Sequence, residues 1–98
     1  MSEFDYKQLD DIIHSRIRLA IMSVLISVEQ ADFNFIKSKV KATDGNLSVH
    51  LKKLEEAEYI IVKKEFVGKK PLTTCSLSEK GKIAFEKYIE RLENLIKR

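Results

Sequence analysis

The chain has 98 residues, 44% hydrophobic and 34% charged, with a formal net charge of +3. That balance describes one small, highly charged folded domain with a single core, and it excludes a disordered chain. A single cysteine excludes an intrachain disulfide framework, and the longest uncharged run, Leu19 to Val28, is about half of what a membrane helix needs.

The opening "MSEFDYKQLDD" is acidic and has none of the features of a signal or transit peptide, so a cytoplasmic protein with no membrane partner is expected. Charge is unevenly spread. Residues 1–36 carry three basic and six acidic side chains, residues 37–70 nine and five, and residues 71–98 six and four. The positive field therefore gathers in the middle of the chain, which points to an anionic partner.

Taken in order, residues 6–28 read as one long first helix. Ile13, Ile17, Ala20, Ile21, Val24 and Val28 form one apolar stripe, while Ile12, Leu19, Met22 and Ile26 form a second. A helix apolar on two sides needs two partners, and the second stripe is expected to meet the C-terminal helix or another subunit. A short helix near 32–39 follows, with Asp32 as its N-cap and Phe33, Ile36 and Val40 as its buried set.

After a turn at Val40–Ala42, Thr43 caps a helix predicted to run to about Glu58, with Asp44 in the first turn, where the helix dipole favours an acid. Two helices on either side of so short a turn have helix-turn-helix spacing, over about 32–58. In "TDGNLSVHLKKLEEAEYI" the residues sort onto two faces. Leu47, Leu51 and Leu54 share one stripe, flanked by His50 and Ala57; Gly45, Ser48, Val49, Lys52, Lys53 and Glu56 lie opposite.

The period then changes to about two. "IIVKKEFV" and "LTTCSL", joined by "GKKP", read as a hairpin over about 60–77 that carries Lys63, Lys64, Lys69 and Lys70. Ser78 caps a last helix over about 78–97, in which Phe85, Tyr88, Ile89, Leu92, Leu95 and Ile96 follow the rhythm of a helix–helix seam. The fold class is mainly α with a small β-hairpin: a winged helix-turn-helix in a single domain, 1–98, with a long first and a long last helix.

This architecture suits double-stranded DNA. An α-helix fits the major groove, and a two-stranded wing reaches the neighbouring backbone or minor groove. Asn46 and Ser48 can bond base edges or phosphates, Val49 can meet a thymine methyl, and Lys52 and Lys53 can donate to guanine or phosphate. Gly45 permits close approach, first-turn amides can hold a phosphate, and Lys64, Lys69 and Lys70 suit backbone contact. Each also has a plainer reading: Asn46 and Ser48 as ordinary first-turn residues, Val49 as buried by the wing, and the lysines as a solvated face.

His50, beside the leucine stripe, is read as structural, and Cys75 as a small buried hydrophobe. Asp10 and His14 would share a face of the first helix, but no closely spaced Cys/His/Asp cluster argues for a metal, and no cofactor is expected. With no phosphate loop and no nucleophile–base pair, nothing suggests an enzyme.

"SVHLKKLEEAEYI" resembles the recognition helix of winged-helix regulators of the MarR and ArsR type. "HSRIRLAIMSVL", "TDGNLS" and "GKKPLTTCSLSEKGK" are similar to their first helix, turn, and wing with post-wing helix. The resemblance covers residues 8–97. It implies a homodimeric transcription regulator, commonly a repressor, that pairs through terminal helices and binds a pseudo-palindromic operator, with room for a small-molecule effector. Ile12, Leu19, Met22, Ile26, Phe85, Tyr88, Leu92 and Leu95 are the expected dimerisation residues.

Two departures stand out. Glu58 occupies the place where those families usually have a glycine, and the wing has lysines where many relatives carry an arginine. The rival class is a winged helix that docks proteins without touching DNA; an RNA-binding winged helix is a further alternative.

Overall fold

Capping residues decide where the helices begin. In the computed structural model, which describes residues 5–97, Asp32 accepts a hydrogen bond from Phe35 N at 2.8 Å, Thr43 from Asn46 N at 3.2 Å, and Ser78 from Gly81 N at 2.9 Å. These caps open α2 (Phe33–Val40), α3 (Asp44–Glu56) and α4 (Glu79–Ile96). Expectations that touch Met1–Phe4 or Arg98 lie outside the described residues.

The long first helix needs correction. A single 3-10 turn, Tyr6–Gln8, is followed by an irregular segment, and α1 covers only Arg16–Ile26. The cause is again capping chemistry. Asp10 Oδ1 accepts from Ile12 N at 2.7 Å and Ile13 N at 3.1 Å, a local bond that competes with helix. Ser15, at φ −153°, then restarts the chain as the α1 cap. Ile12 is therefore out of helical phase with Leu19 and Ile26, and Asp10 and His14 do not share a helix face.

The expected helix-turn-helix and wing follow. Lys41, left-handed at φ 56°, ends α2 and turns the chain towards Thr43. Strands β2 (Ile60–Val67) and β3 (Lys70–Leu77) pair antiparallel in a register that sets Ile60 opposite Leu77 and Val67 opposite Lys70. A third strand, β1 (Ala31–Asp32), was not foreseen; it pairs with β3, so the sheet order is β1-β3-β2. Two residues have no readable period, which is why it escaped sequence analysis.

The core gathers Ile13, Ile21, Leu25, Ile36, Leu47, Leu51, Leu54, Ile60, Cys75 and Leu77, with Ala31 of β1 and Phe85 of α4. Helix α1 lies centrally, against α2, α3 and β3. That central place corrects part of the dimerisation set. Met22, Phe85 and Tyr88 are buried in the protomer's own core, and Ile12 and Leu19 are partly buried against it. Only Ile26 of the second stripe is exposed. Three of the four residues of that stripe are thus wholly or partly covered from within.

Helix α3 ends in a bonded turn. Tyr59 N donates to Leu54 O and Glu58 N to Glu55 O, each at 2.9 Å, around Glu58 at φ 63°. The junction thus keeps the left-handed conformation despite the missing glycine, at a cost of roughly 1 kcal/mol. Next to it, Ser78 N donates to Tyr59 O at 3.0 Å and Ser78 Oγ to Glu58 O at 2.6 Å. Gly81 closes the contact, because a Cβ there would stand 2.0 Å from Tyr59 O.

A polar strut joins α1 to α3: Arg18 donates from its guanidinium to His50 Nδ1 at 2.9 Å. Guanidinium has no acceptor, so His50 is held with its proton on Nε2. Burial lowers the His50 pKa below 6.5, and the charges of Arg18 and Lys53 lower it further.

Two outcomes are expected. Gly81→Ala should destabilise the protein by roughly 1–3 kcal/mol, measured by urea denaturation, because backbone must move to admit the methyl. Above the unfolded His50 pKa, both folded and unfolded chains hold the ring neutral. As pH falls through 6.5 towards the lowered folded pKa, the unfolded chain takes up a proton that the folded one resists, and stability is lost. The difference in stability between wild type and His50→Gln should therefore change between about pH 7.5 and 5.5 and be flat above.

Candidate nucleic-acid interface

Because Leu47, Leu51 and Leu54 are turned into the core, the 3.6-residue period turns Gly45, Asn46, Ser48, Val49, Lys52 and Lys53 outward, and all six are exposed. Val49 is 54% exposed, so the wing does not cover it. Around Gly45 a Cβ would meet nothing within 4 Å. Asp44, the acid of the first turn, is bound by Lys37 Nζ at 2.6 Å, which offsets its charge at the mouth of the helix.

The wing completes this surface on one side. A groove of about 410 Å³ runs between α3 and the hairpin, where Ser48 and Lys52 meet Lys64 and Thr73 over a floor of Phe33, Leu51 and Val62. Glu55 is the acid among its lining residues. Glu65 points to the other face of β2 and lies 3.6 Å from Lys63, so it does not interrupt the groove. Lys69 and Lys70 are exposed at the far end of the hairpin and are not brought to the groove.

On the other side of α3 the structure adds residues that the sequence did not single out. Arg16 and Lys41 line an open cleft of about 720 Å³ together with Thr43, Asn46 and His50. Arg16 follows the Ser15 cap, and Lys41 occupies the left-handed turn. The signal for Arg16 was the cap-type Ser15 beside it, hidden by the hydrophobic period of residues 6–28; Lys41 stands in the turn between α2 and α3, where spacing does not tell which way its side chain faces.

Polar groups elsewhere are already engaged. Tyr59 Oη donates to Asp10 Oδ2, and His14 Nδ1 lies 2.8 Å from Tyr88 Oη. Burial, with the bond to Asp10, pushes the Tyr59 hydroxyl up to about 12. Burial next to Val62 and Ala31, with the Glu55 charge, pushes the Cys75 thiol up to about 11, so it remains a protonated core side chain. Among the described residues no group of three His, Cys, Asp or Glu side chains could hold a metal ion, and no helix is long and apolar enough to cross a membrane.

Helix α4 changes character along its length. Phe85 and Tyr88 are buried, Ile89 and Leu92 are partly covered, Leu95 is half-buried, and Ile96 is 74% exposed. Its outer turns thus leave an apolar edge uncovered in a protomer that measures 59 × 25 × 21 Å.

A model of the winged helix DNA-binding domain matches residues 17–96. An uncharacterized protein of Methanocaldococcus jannaschii is 38% identical over 86 residues, which is 88% of this chain and 94% of that one. A transcriptional regulator homologue from Pyrococcus horikoshii has a similar structure, with a TM-score of 0.77 and 26% identity over 93% of this chain and 95% of that one. An ArsR family transcriptional regulator shares the fold at 17% identity, with a TM-score of 0.59 and 97% of each chain covered. From its first core helix to its last, the chain belongs to the winged helix DNA-binding domain family.

Proposed function

We propose that the protein is a sequence-specific regulator of transcription, acting as a repressor, that binds double-stranded DNA as a homodimer in the cytoplasm. The observation that carries this reading is the exposed outer face of α3, with Lys52 and Lys64 converging on the groove beside it. Helix α3 enters the major groove. There Asn46, Ser48 and Val49 read base edges, Lys52 and Lys53 donate to guanine or phosphate, and Gly45 lets the backbone approach. Lys64, Lys69 and Lys70 hold the backbone on the wing side, and Arg16 and Lys41 hold it on the other.

Two copies pair through the outer turns of α4. Leu92, Leu95 and Ile96 supply the apolar edge, with Ile26 as the exposed remnant of the α1 stripe. Such a dimer presents two recognition helices to half-sites about 34–36 Å apart.

Fluorescence anisotropy on a mixed-sequence duplex tests DNA binding. Affinity should fall steeply between about 50 and 300 mM salt, and Lys52→Ala/Lys53→Ala should flatten the log–log slope by about two. Absence of binding at the lowest salt, or equal affinity for duplex RNA, rules the reading out. In analytical ultracentrifugation at micromolar concentration the wild type should sediment as a dimer. Leu95→Glu/Ile96→Glu should sediment as a monomer that still unfolds cooperatively, with a melting temperature that is lower than that of wild type and no longer depends on protein concentration.

A further inference from the structure

One face of the hairpin runs off the end of the core. On β2 the side chains alternate, so Ile60, Val62, Lys64 and Phe66 share the face towards α3, opposite Leu77, Cys75, Thr73 and Pro71 on β3. Ile60 is buried, Val62 half-buried and Lys64 exposed at the groove. Phe66 then stands 73% exposed, with neighbouring Val67 also exposed. At about 3.3 Å per residue, the turn lies roughly 20 Å beyond Val62, past the reach of the core.

The tip that carries Phe66 is tight. Val67 pairs with Lys70, which leaves a two-residue loop of Gly68 and Lys69. Gly68 is at φ 66°, and Lys69 is not among the residues with positive φ, the pattern of a type II′ turn. Phe66 has Pro71, with its fixed φ, as its cross-strand partner. Lys69 lies in the turn three residues after Phe66, Lys70 opens β3 opposite Val67 on the other face, and Lys64 precedes the ring on its own face.

We propose that the wing tip is an aromatic wedge for the DNA minor groove, with Phe66 as the inserting side chain. The inference rests on the DNA-binding function proposed above. The groove is about 6 Å wide and admits a ring edge-on, and apolar side chains placed there unstack and kink flexible base steps. Lys64 on the ring's own face and Lys69 in the turn flank the ring with positive charge, and Lys70 adds to it from the opposite face of the tip, which matches the phosphates that rim the groove and selects nucleic acid over an apolar protein surface. The wing then does more than hold the backbone: Phe66 adds a preference for deformable, A·T-rich flanks without hydrogen-bonding any base.

The test compares wild type, Phe66→Ala and Lys69→Ala/Lys70→Ala on an A·T-rich duplex and a G·C-rich duplex, across salt, with and without netropsin to fill the minor groove. Phe66→Ala should lose about tenfold in affinity on the A·T-rich duplex, keep the wild-type salt slope, and lose sensitivity to netropsin. The lysine variant should flatten the slope. All three should melt at the same temperature, since these side chains are exposed. If Phe66→Ala binds as tightly as wild type, or loses affinity only through a flatter slope, the wedge is overturned while the DNA-binding function stands. If wild type binds neither duplex at low salt, both fail together.

Discussion

The junction of Tyr59, Ser78 and Gly81 holds the recognition helix, the wing and the last helix in one arrangement. Within a few residues, Tyr59 N closes the end of α3, Tyr59 O accepts from Ser78 N, and Ser78 Oγ donates to Glu58 O. The same Ser78 caps α4 through Gly81 N, and Gly81 lets that helix lie against the Tyr59 backbone. The angle between α3 and the hairpin is therefore set by backbone bonds and close approach rather than by long side chains. A rigid angle matters for a binding surface composed of a helix and a hairpin together.

A second constraint acts at the middle of α3. The Arg18–His50 bond ties the middle of the recognition helix to α1, and α1 is the element that the rest of the core surrounds. His50 also registers the field around it. After burial, the causes that depress its pKa are the cations Arg18 and Lys53, so the flank of α3 is electropositive even where its side chains are structural. Two of the acids near this surface are offset or turned away, Asp44 by Lys37 and Glu65 on the far face of β2, while Glu55 stays in the groove lining. An anionic partner is what such a distribution attracts.

The protomer also divides its apolar surface in an instructive way. Met22, Phe85 and Tyr88 carry helical spacing that suits a subunit seam, yet they serve the protomer's own core. Periodicity reports that a face is covered but not by what. A domain of this size has few apolar residues to spare, so its own core claims the seam first, while the end of α4, the tip of the wing and single residues such as Val49 and Ile61 leave apolar side chains in solvent.

Local chemistry was legible in the sequence. The caps at Asp32, Thr43 and Ser78, the two faces of α3 and the strand period of the wing all depend on residues within a few places of one another, so they can be read from spacing alone; the left-handed position at Glu58 was signalled by the family resemblance only. The interruption of the first helix was written there too, in Asp10 and Ser15, but the hydrophobic period masked it. What only the tertiary structure decided involves distant residues. The pairing of β1 with β3, the meeting of Lys64 with Lys52, the place of Arg16 and Lys41 beside Asn46, and the burial of Met22 join segments far apart in the chain. Such contacts depend on how whole elements pack against one core, which no local period encodes.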